Sequence, residues 1–373
     1  MNTTFQVCNR CVMDNSSDNY IEFDSNGYCN YCNSAFDIKD SVYFPNKIGE
    51  QKLYEIIKKI KKENKNKQYD CLMGISGGLD SAYLAYLGAV KWGLRIYAIH
   101  IDDGFNEPIA ESNIKKLCEA AKIELRVEKP DKEEFEDLTR SFIKANVPNL
   151  AIPQDNVLFA YLYKHARKEK IKYFLSGGNF SLENILQKSY TFDAMDKKHI
   201  QDIHNKYGKL ELRNIEFMSH QRMILDKLFY RIKSLRLLNY INYNKEDAIQ
   251  ELSDFCNFEY YGSKHLENKL TKFVQLYWFV NKCNLDKRKS HLSSLIVSGQ
   301  ISRDKALEEL DKPLYDNDDM DKDIKFILDK LNIRTEEFEE IIKQPITNHE
   351  EYKTSYFGQL YRFLVRYKQR KKL

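Results

Sequence analysis

Short apolar runs in the first half of the chain alternate with stretches of helical spacing, whereas the second half shows helical spacing almost throughout. A run of about four to eight apolar residues between turn residues is typical of a buried strand, and apolar positions three and four apart indicate an amphipathic helix. We therefore predict strands at 69–75, 94–101, 123–128 and 171–175, and a helix at 82–92. Beyond residue 191 we predict helices at 218–238, 245–256, 265–280, 302–310, 321–331 and 336–343.

Length, composition and charge limit the classes of protein to consider. The 373 residues suffice for two to three domains of roughly 150 residues each. No apolar run approaches the ~18 residues of a membrane span, and the first residues lack the basic and apolar regions of a secretion signal. The net charge of +4 disfavours a dedicated nucleic-acid binder, which usually carries a strongly basic domain. We expect a soluble cytoplasmic protein without membrane contact.

Four of the eight cysteines form two C-x-x-C pairs, Cys8 with Cys11 and Cys29 with Cys32. Each pair can turn two thiolates towards one ion, and two pairs complete the tetrahedral shell of a structural Zn²⁺ site. A thioredoxin-like redox pair is the alternative, but it needs only one C-x-x-C. Two disulfides are disfavoured in a chain without an export signal. We expect simple buried packing for the remaining cysteines, Cys71, Cys118, Cys256 and Cys283.

The sequence SGGLDS at 76–81 follows the first predicted strand and opens the predicted helix. A glycine-rich turn at a helix start presents backbone N–H groups to an anion, and its glycines let phosphate oxygens approach the backbone. A carboxylate beside phosphates makes sense if it holds Mg²⁺, which assigns Asp80 to the metal. The alternative is a turn without function, and the common P-loop motif G-x-x-x-x-G-K-[ST] does not occur. The predicted phosphate-binding residues are Ser76, Gly77, Gly78, Leu79, Asp80 and Ser81.

This strand, loop and helix resemble the PP-loop ATP pyrophosphatases, whose defining motif is SGGxDS after the first strand. The resemblance implies a parallel α/β domain that binds ATP, holds the leaving pyrophosphate and adenylates an acceptor. It implies that adenine and ribose pack near His100 and Asp102, after the second predicted strand. It also assigns a second glycine pair, with Ser176 and Gly177, to the same site, and Glu183 to Mg²⁺. His100 and Glu183 are equally compatible with a structural role.

Two polar clusters, 260–269 and 286–296, interrupt the helical second half. In the simplest interpretation they are capped helix starts with solvated charges. Alternatively their basic side chains, among them His291, line a pocket for an anionic substrate and stabilise the charge that builds up during adenylation. The candidate catalytic residues are Asp80, Lys264, His265 and Arg288.

From residue 8 to about 313 the chain resembles the N-acetyl sugar amidotransferases of bacterial surface-polysaccharide and nonulosonate biosynthesis. The matching pieces are the C-x-x-C pairs, YDCLMGISGGLDS, YGSKHLENKLTKF and DKRKSHLSSLIVSGQISRDKALEEL. One departure is Ser263, where that family usually has a second glycine. The resemblance implies a zinc ribbon at 1–45, a PP-loop ATP pyrophosphatase domain at 46–190, and a helical substrate- or partner-binding region at 191–373.

The reaction that this resemblance implies converts a sugar acetamido group to an acetamidino group, with ATP and Mg²⁺. The amide oxygen attacks the α-phosphorus of ATP, pyrophosphate leaves, and ammonia then displaces AMP. The chain has no cysteine in the setting of a glutaminase nucleophile, since Asn2 follows the initiator methionine. We therefore expect ammonia from a separate glutaminase subunit, with or without a cyclase-like channel subunit. The expected acceptor is an acetamido sugar that is acidic or nucleotide-linked.

Two other functions are open on the sequence. A tRNA-thiolating PP-loop enzyme is disfavoured because the cysteines after residue 32 are single and scattered and the net charge is near zero. A non-catalytic zinc-ribbon adaptor is disfavoured because the loop retains Asp80 and both serines.

Overall fold

A parallel sheet of five strands lies at the centre of the computed structural model, which describes residues 4–16, 18–262 and 266–360. The order of the strands across the sheet is β3-β2-β1-β4-β5. From β1 the chain adds β2 and β3 on one side of the sheet and then returns to add β4 and β5 on the other side. Ligands of open α/β sheets bind at such a switch point, which here lies between β1 and β4. The predicted α/β class is confirmed. The strands are β1 (Cys71–Gly74), β2 (Ile96–Ile101), β3 (Glu124–Glu128), β4 (Tyr173–Leu175) and β5 (Lys233–Leu235).

Helices form most of the remaining described chain. A turn of π-helix at Leu87–Lys91 continues the helix that ends at Tyr86, and another at Phe273–Trp278 joins the helices Lys269–Lys272 and Phe279–Cys283. In chain order the helices are α1 (Asn30–Val42), α2 (Lys47–Glu63), α3 (Leu79–Tyr86), α4 (Pro108–Ala120), α5 (Lys132–Ala145), α6 (Ile152–Lys168), α7 (Phe180–Glu183), α8 (Lys197–Tyr207), α9 (His220–Phe229), α10 (Lys245–Cys256), α11 (Lys269–Lys272), α12 (Phe279–Cys283), α13 (Lys287–Ser298), α14 (Arg303–Asp311), α15 (Asn317–Leu331) and α16 (Thr335–Lys343).

The second half of the predicted helix 218–238 is wrong. Helix α9 ends at Phe229, and Arg231 then takes a φ of +53°, a left-handed conformation that does not continue an α-helix. The chain leaves this turn as β5 and pairs with β4, with Lys233 opposite Tyr173. The region predicted as helical therefore supplies a strand, and the sheet extends beyond the predicted domain boundary at residue 190.

Two large hydrophobic clusters hold these elements together. The first packs α2, α3 and β1 against α10, with Leu84 and Leu252 among its members. The second packs α5 and α6 against helices beyond residue 268, with Phe142, Trp278 and Leu328 among its members. Each cluster combines side chains from both sides of residue 190, so burial ties the helical part to the sheet. Within the described ranges, none of the helices is both long enough and apolar enough to cross a lipid bilayer.

Candidate active site

The loop at 76–81 leaves the end of β1 and forms a cradle at the start of α3. Gly77 has a φ of +83°, and a Cβ there would lie 2.6 Å from the carbonyl oxygen of Ala110. Only glycine fits this position without displacing backbone. Helix α3 begins at Leu79, and its N-cap residue, Gly78, has no side chain that could accept from the first N–H groups. The positive end of the helix is therefore available to an anion.

Two serine hydroxyls of this cradle lie within hydrogen-bond distance of each other. The Oγ atoms of Ser76 and Ser81 lie 3.2 Å apart, and both side chains line the adjoining cavity. Ser81 Oγ donates to the carbonyl oxygen of Gly78 at 3.0 Å. A hydroxyl can rotate to donate elsewhere, so both serines can serve phosphate oxygens. The side chain of Leu79 packs against the first hydrophobic cluster, which leaves its backbone as the part that can contact an anion.

Asp80 lies in the first turn of α3 and is oriented by a tyrosine from the C-terminal half. The hydroxyl of Tyr243 donates to Asp80 Oδ1 at 2.5 Å. Burial, and then the charge of Asp80, raise the pKa of Tyr243, so the hydroxyl keeps its proton and acts as the donor. An oriented carboxylate beside an anion cradle has the donor chemistry that Mg²⁺ prefers.

The second glycine pair follows β4 and lies against the first loop. A Cβ on Gly177 would stand 3.4 Å from the backbone nitrogen of Ser81, so the two backbones come close together. A Cβ on Gly178 would stand 2.8 Å from Oε2 of Glu183, at the end of α7. Because glycine has no Cβ, the backbone of this loop can approach both the backbone at Ser81 and the carboxylate of Glu183. Ser176, Gly177 and Glu183 all line the same cavity as the first loop.

His100 and Asp102, at the end of β2, differ in orientation. His100 lines the cavity, with Nδ1 donating to the carbonyl oxygen of Ile75 at 2.9 Å and Nε2 accepting from Asn106 Nδ2 at 3.0 Å. These partners hold the ring in one orientation. Asp102 pairs with Lys129 at 2.7 Å, and although burial opposes its charge, Lys129 lowers the pKa of Asp102. The side chain of Asp102 is therefore engaged by Lys129 and does not line the cavity.

Both loops open into a single cavity of about 700 Å³ at the carboxyl ends of the strands. This volume is typical of small-molecule sites. Apolar side chains of Leu158, Leu162 and Phe174 form part of its wall, the kind of surface on which an adenine ring packs. The C-terminal half contributes Lys287 and His291 from α13. The cavity thus joins the two glycine-rich loops to polar side chains of the C-terminal helices.

Asp155 on α6 faces into this cavity, and no motif in the sequence had marked it. Protein atoms around the carboxyl group of Asp155 displace water, and this desolvation raises its pKa to about 6. The positive charge of Lys287, which lines the same cavity, acts in the opposite direction. A carboxyl group that titrates near neutral pH inside a cavity is a candidate for proton transfer.

The structure corrects the prediction for Arg288, which lies away from the cavity. Its guanidinium pairs with Asp286 at 2.7 Å and donates to the carbonyl oxygen of Lys312 at 2.8 Å, which ties the start of α13 to the end of α14. Lys287 and His291 line the cavity instead. Residues four apart share a face of a helix, whereas the next residue along points about 100° away.

The other two predicted catalytic residues of this half, Lys264 and His265, lie outside the described residues. The chain on either side of them reaches the loop. Tyr261 donates its hydroxyl to the carbonyl oxygen of Gly77 at 3.2 Å, and Glu267 Oε1 accepts from Ser76 Oγ at 3.2 Å. Sequence reasoning missed Glu267, which is 191 positions from its partner.

The four N-terminal cysteines gather into one buried cluster whose Sγ atoms all lie within 4.8 Å of one another. Cys8 and Cys32 are 3.7 Å apart, and Cys11 and Cys29 are 3.6 Å apart. Tetrahedral Zn–S bonds of about 2.3 Å separate sulfurs by about 3.8 Å, whereas a disulfide bond measures about 2.05 Å. The donor set therefore fits a tetrahedral metal ion.

This cysteine module is fastened to α13 and α14. Val12 donates its N–H to Ser293 Oγ at 3.2 Å, and Asp14 forms an ion pair with Lys289. Arg303 donates to main-chain oxygens of the module at 3.1 and 3.3 Å. Because α13 also carries two cavity-lining side chains, the module supports one wall of the cavity.

Several solved structures show limited similarity to the chain. The NH3-dependent NAD synthetase from Campylobacter jejuni is 20% identical with a TM-score of 0.28, over 36% of this chain and 58% of that enzyme. The U34-tRNA thiolase NcsA from Methanococcus maripaludis, with its 4Fe-4S cluster, is 16% identical with a TM-score of 0.32, over 82% of this chain and 89% of that one. The NMN synthetase from Francisella tularensis is 19% identical with a TM-score of 0.27, over 61% and 92%. These values are too low to carry a conclusion about activity.

Comparison with curated proteins gives no match. A family model described as "LPS biosynthesis protein WbpG-like, C-terminal domain" matches residues 267–368. The matched segment begins at Glu267, the residue that contacts the SGGLDS loop, and includes the α13 residues of the cavity wall. Residues 267–368 are therefore similar to the WbpG-like C-terminal domain of LPS biosynthesis proteins, and the parallel sheet of the same chain carries the SGGLDS loop at 76–81.

Proposed function

We propose that the chain is an ATP-dependent enzyme of bacterial surface-glycan biosynthesis that releases AMP and pyrophosphate. One observation carries this proposal: the anion cradle of the SGGLDS loop opens into the same cavity as side chains of the WbpG-like segment. A nucleotide bound at the loop would therefore face a pocket lined in part by the segment that is similar to WbpG-like LPS biosynthesis proteins.

For the reaction itself, we infer amidination of a sugar acetamido group. The acetamido oxygen attacks the α-phosphorus of ATP, the bond from that phosphorus to the bridging oxygen breaks, and pyrophosphate leaves. Ammonia then adds to the activated carbon, AMP leaves with the former amide oxygen, and a proton is lost. An amide carbonyl is a poor electrophile, so adenylation supplies the leaving group, and the enzyme contributes mainly positioning and charge stabilisation.

The residues of the SGGLDS loop and of the cavity suit separate parts of this reaction. The loop hydroxyls and N–H groups would bind the phosphates that leave, and Asp80 and Glu183 would hold Mg²⁺, which neutralises phosphate charge when bound. Lys287 and His291 would contact acidic groups of the acceptor. Asp155, with its pKa of about 6, would accept the proton released when ammonia adds.

The nucleotide product tests this proposal. Purified protein receives ATP, MgCl2, ammonium chloride and a panel of acetamido sugars, free and nucleotide-linked, with bulk tRNA in a separate reaction. We expect AMP and pyrophosphate only with a sugar, whose mass changes as oxygen is replaced by NH. AMP release only with tRNA would assign the chain to RNA modification, and ADP in place of AMP would contradict the PP-loop assignment.

A substitution of Asp80 separates catalysis from structure. Asp80→Asn keeps the acceptor for the Tyr243 hydroxyl but removes the charge, and we expect AMP formation to fall by at least about a hundredfold. Metal content of the cysteine module and the melting temperature should stay unchanged. An active Asp80→Asn protein would remove Asp80 from the mechanism.

We further propose that a separate glutaminase subunit supplies the ammonia, with or without a cyclase-like channel subunit. The isolated chain should therefore turn over with ammonium chloride and not with glutamine. Equal rates with glutamine and ammonium would contradict this partner.

A further inference from the structure

Arg236 is a positively charged residue of the cavity wall that no motif in the sequence had marked. It directly follows β5, and its side chain is exposed. Within the described part of the chain, its guanidinium has no hydrogen-bond or ion-pair partner. By contrast, the guanidinium of Arg167 pairs with Asp226 at 2.7 Å. The N–H donors of Arg236 are therefore available to a ligand in the cavity.

The backbone of β5 fixes the position of Arg236. Leu235 pairs with Leu175 of β4, and the N–H of Ser176 donates to the carbonyl oxygen of Leu235 at 2.9 Å. On the other side, the N–H of Asn239 donates to the carbonyl oxygen of Arg236 at 3.2 Å. Parallel pairing therefore places Arg236 at the carboxyl end of β5, beside the first residue of the second glycine-rich loop. Ligands of open α/β sheets bind at these strand ends.

The second glycine-rich loop lies next to both Arg236 and the SGGLDS loop. A Cβ on Gly178 would stand 3.8 Å from Nε of Arg236. A Cβ on Gly177 would stand 3.4 Å from the backbone nitrogen of Ser81, in the first turn of α3. Because the two glycines are consecutive, the guanidinium and the first turn of α3 approach the same dipeptide. An anion longer than a single phosphate, bound at the start of α3, would therefore have the guanidinium close by.

The charge of this part of the cavity favours the same assignment. The SGGLDS loop contains no basic residue, whereas the common P-loop motif carries a lysine that reaches the phosphates. Among the cavity-lining residues that the structure describes, the lysines and arginines are Arg236 and Lys287, and Lys287 lies on α13. A guanidinium is permanently charged, and its planar set of donors matches the oxygens of a phosphate group.

We propose that Arg236 binds the phosphate oxygens of ATP and stabilises the pyrophosphate as it leaves. This inference rests on the proposed function, because it assumes that ATP binds at the SGGLDS loop. When the bond between the α-phosphorus and the bridging oxygen breaks, its electron pair stays on the pyrophosphate. Arg236 keeps its proton throughout and stabilises the charge that builds up there. Strand β5 thus supplies the cation that the loop itself lacks.

The test compares the full-length wild type with Arg236→Gln, Arg236→Lys and a matched control, Arg334→Gln. Arg334 is also an exposed arginine without a hydrogen-bond or ion-pair partner among the described residues, but it does not line the cavity. Binding of inorganic pyrophosphate and of a non-hydrolysable ATP analogue is measured by calorimetry with MgCl2, over a series of NaCl concentrations. The melting temperature of each protein is measured in the same buffers.

We expect Arg236→Gln to bind both compounds about tenfold or more weakly, because a charged pair of hydrogen bonds is lost. The affinity of the wild type should also fall more steeply with NaCl than that of Arg236→Gln, because salt screens an attraction that the variant lacks. Arg236→Lys keeps the charge but not the planar donors and should lie between the two; it replaces Arg236→Gln if that variant unfolds. Arg334→Gln should behave as the wild type, and no melting temperature should change.

Three outcomes would overturn the inference. Weaker binding together with a lower melting temperature and the salt dependence of the wild type would make Arg236 a structural residue of the sheet edge. Unchanged affinity of Arg236→Gln would remove Arg236 from the site while leaving the proposed function intact. A wild-type protein that binds neither pyrophosphate nor the ATP analogue would overturn the inference and the proposed function together.

Discussion

The surroundings of His349 disfavour the doubly protonated, charged form of its imidazole ring. Nε2 accepts from the backbone N–H of Asn149 at 3.1 Å, and Nδ1 lies 3.3 Å from Nε2 of His199. The ring also stacks on Phe192, with centroids 4.7 Å apart. Burial, and then the charge that His199 can carry, lower the pKa of His349 to about 3. The folded protein therefore keeps this histidine neutral over a pH range in which an unfolded chain would protonate it.

We predict that acid destabilises the wild-type protein through His349. Between pH 6.5 and about 3 the unfolded chain binds a proton that the folded one does not, so the free energy of unfolding falls as pH falls. The loss is about 1.4 kcal/mol per pH unit, or about 2 kcal/mol between about pH 7.5 and pH 5. His349→Gln lacks this titration. Urea unfolding at both pH values should show the stability advantage of the wild type shrinking by that amount, and parallel pH dependences would contradict the prediction.

Single residues of the site differ in how far sequence alone can find them. The loop at 76–81 is a contiguous motif, so its glycines, serines and Asp80 could be selected without a structure. Glu267 and Tyr243 reach that loop from 191 and 163 positions away, and nothing local in either segment signals a contact across the fold. The role assigned to Arg288 was wrong because a charge cluster shows which residues are basic but not which of them face the cavity.

Among the elements, β1, β2 and β4 could be predicted from apolar runs because burial in a parallel sheet demands them, whereas the edge strand β3 shows only alternating apolar and charged residues. The fifth strand could not. Lys233 and Ser234 are exposed and only Leu235 is half-buried, so β5 has no apolar run, and the helical spacing of α9 continues through it in the sequence. Its pairing with β4, not its own composition, makes it a strand.

The four-cysteine cluster has the geometry of a structural metal site, so its metal can be tested separately from the nucleotide loop. We predict that Cys32→Ser reduces bound zinc from one ion per chain towards none and lowers the free energy of unfolding by at least about 3 kcal/mol, because metal binding and folding are coupled. Metal content by mass spectrometry and urea unfolding measure the two effects.

The control for this prediction is Cys283→Ser, because Cys283 is an isolated, half-buried cysteine outside the four-sulfur cluster. It should change neither zinc content nor the concentration of urea at the midpoint by a comparable amount. A Cys32→Ser protein that keeps both its zinc and its stability would show that the cluster does not need four thiolates.

At the scale of the whole molecule, the two hydrophobic clusters interleave distant parts of the chain. Leu237 and Leu252 are fully buried in the cluster that also contains Leu84, and Ile143 is fully buried in the cluster that also contains Trp278. Large side chains of this kind stabilise the fold only when both halves of the cluster are present. The predicted domains at 46–190 and 191–373 therefore share their cores, which composition and spacing along the chain do not reveal.

This sharing predicts that a fragment of residues 46–190 does not fold as an independent nucleotide-binding domain. The fragment lacks β5, the buried partners of α3 from α10, and the Tyr243 hydroxyl that orients Asp80. Exposure of that much apolar surface removes most of the driving force for folding. Circular dichroism during urea unfolding should show no cooperative transition, and calorimetry should show no ATP binding, while the full-length chain shows both. A fragment that unfolds cooperatively and binds ATP would mean that the sheet is stable without the C-terminal helices, and that those helices act on the acceptor alone.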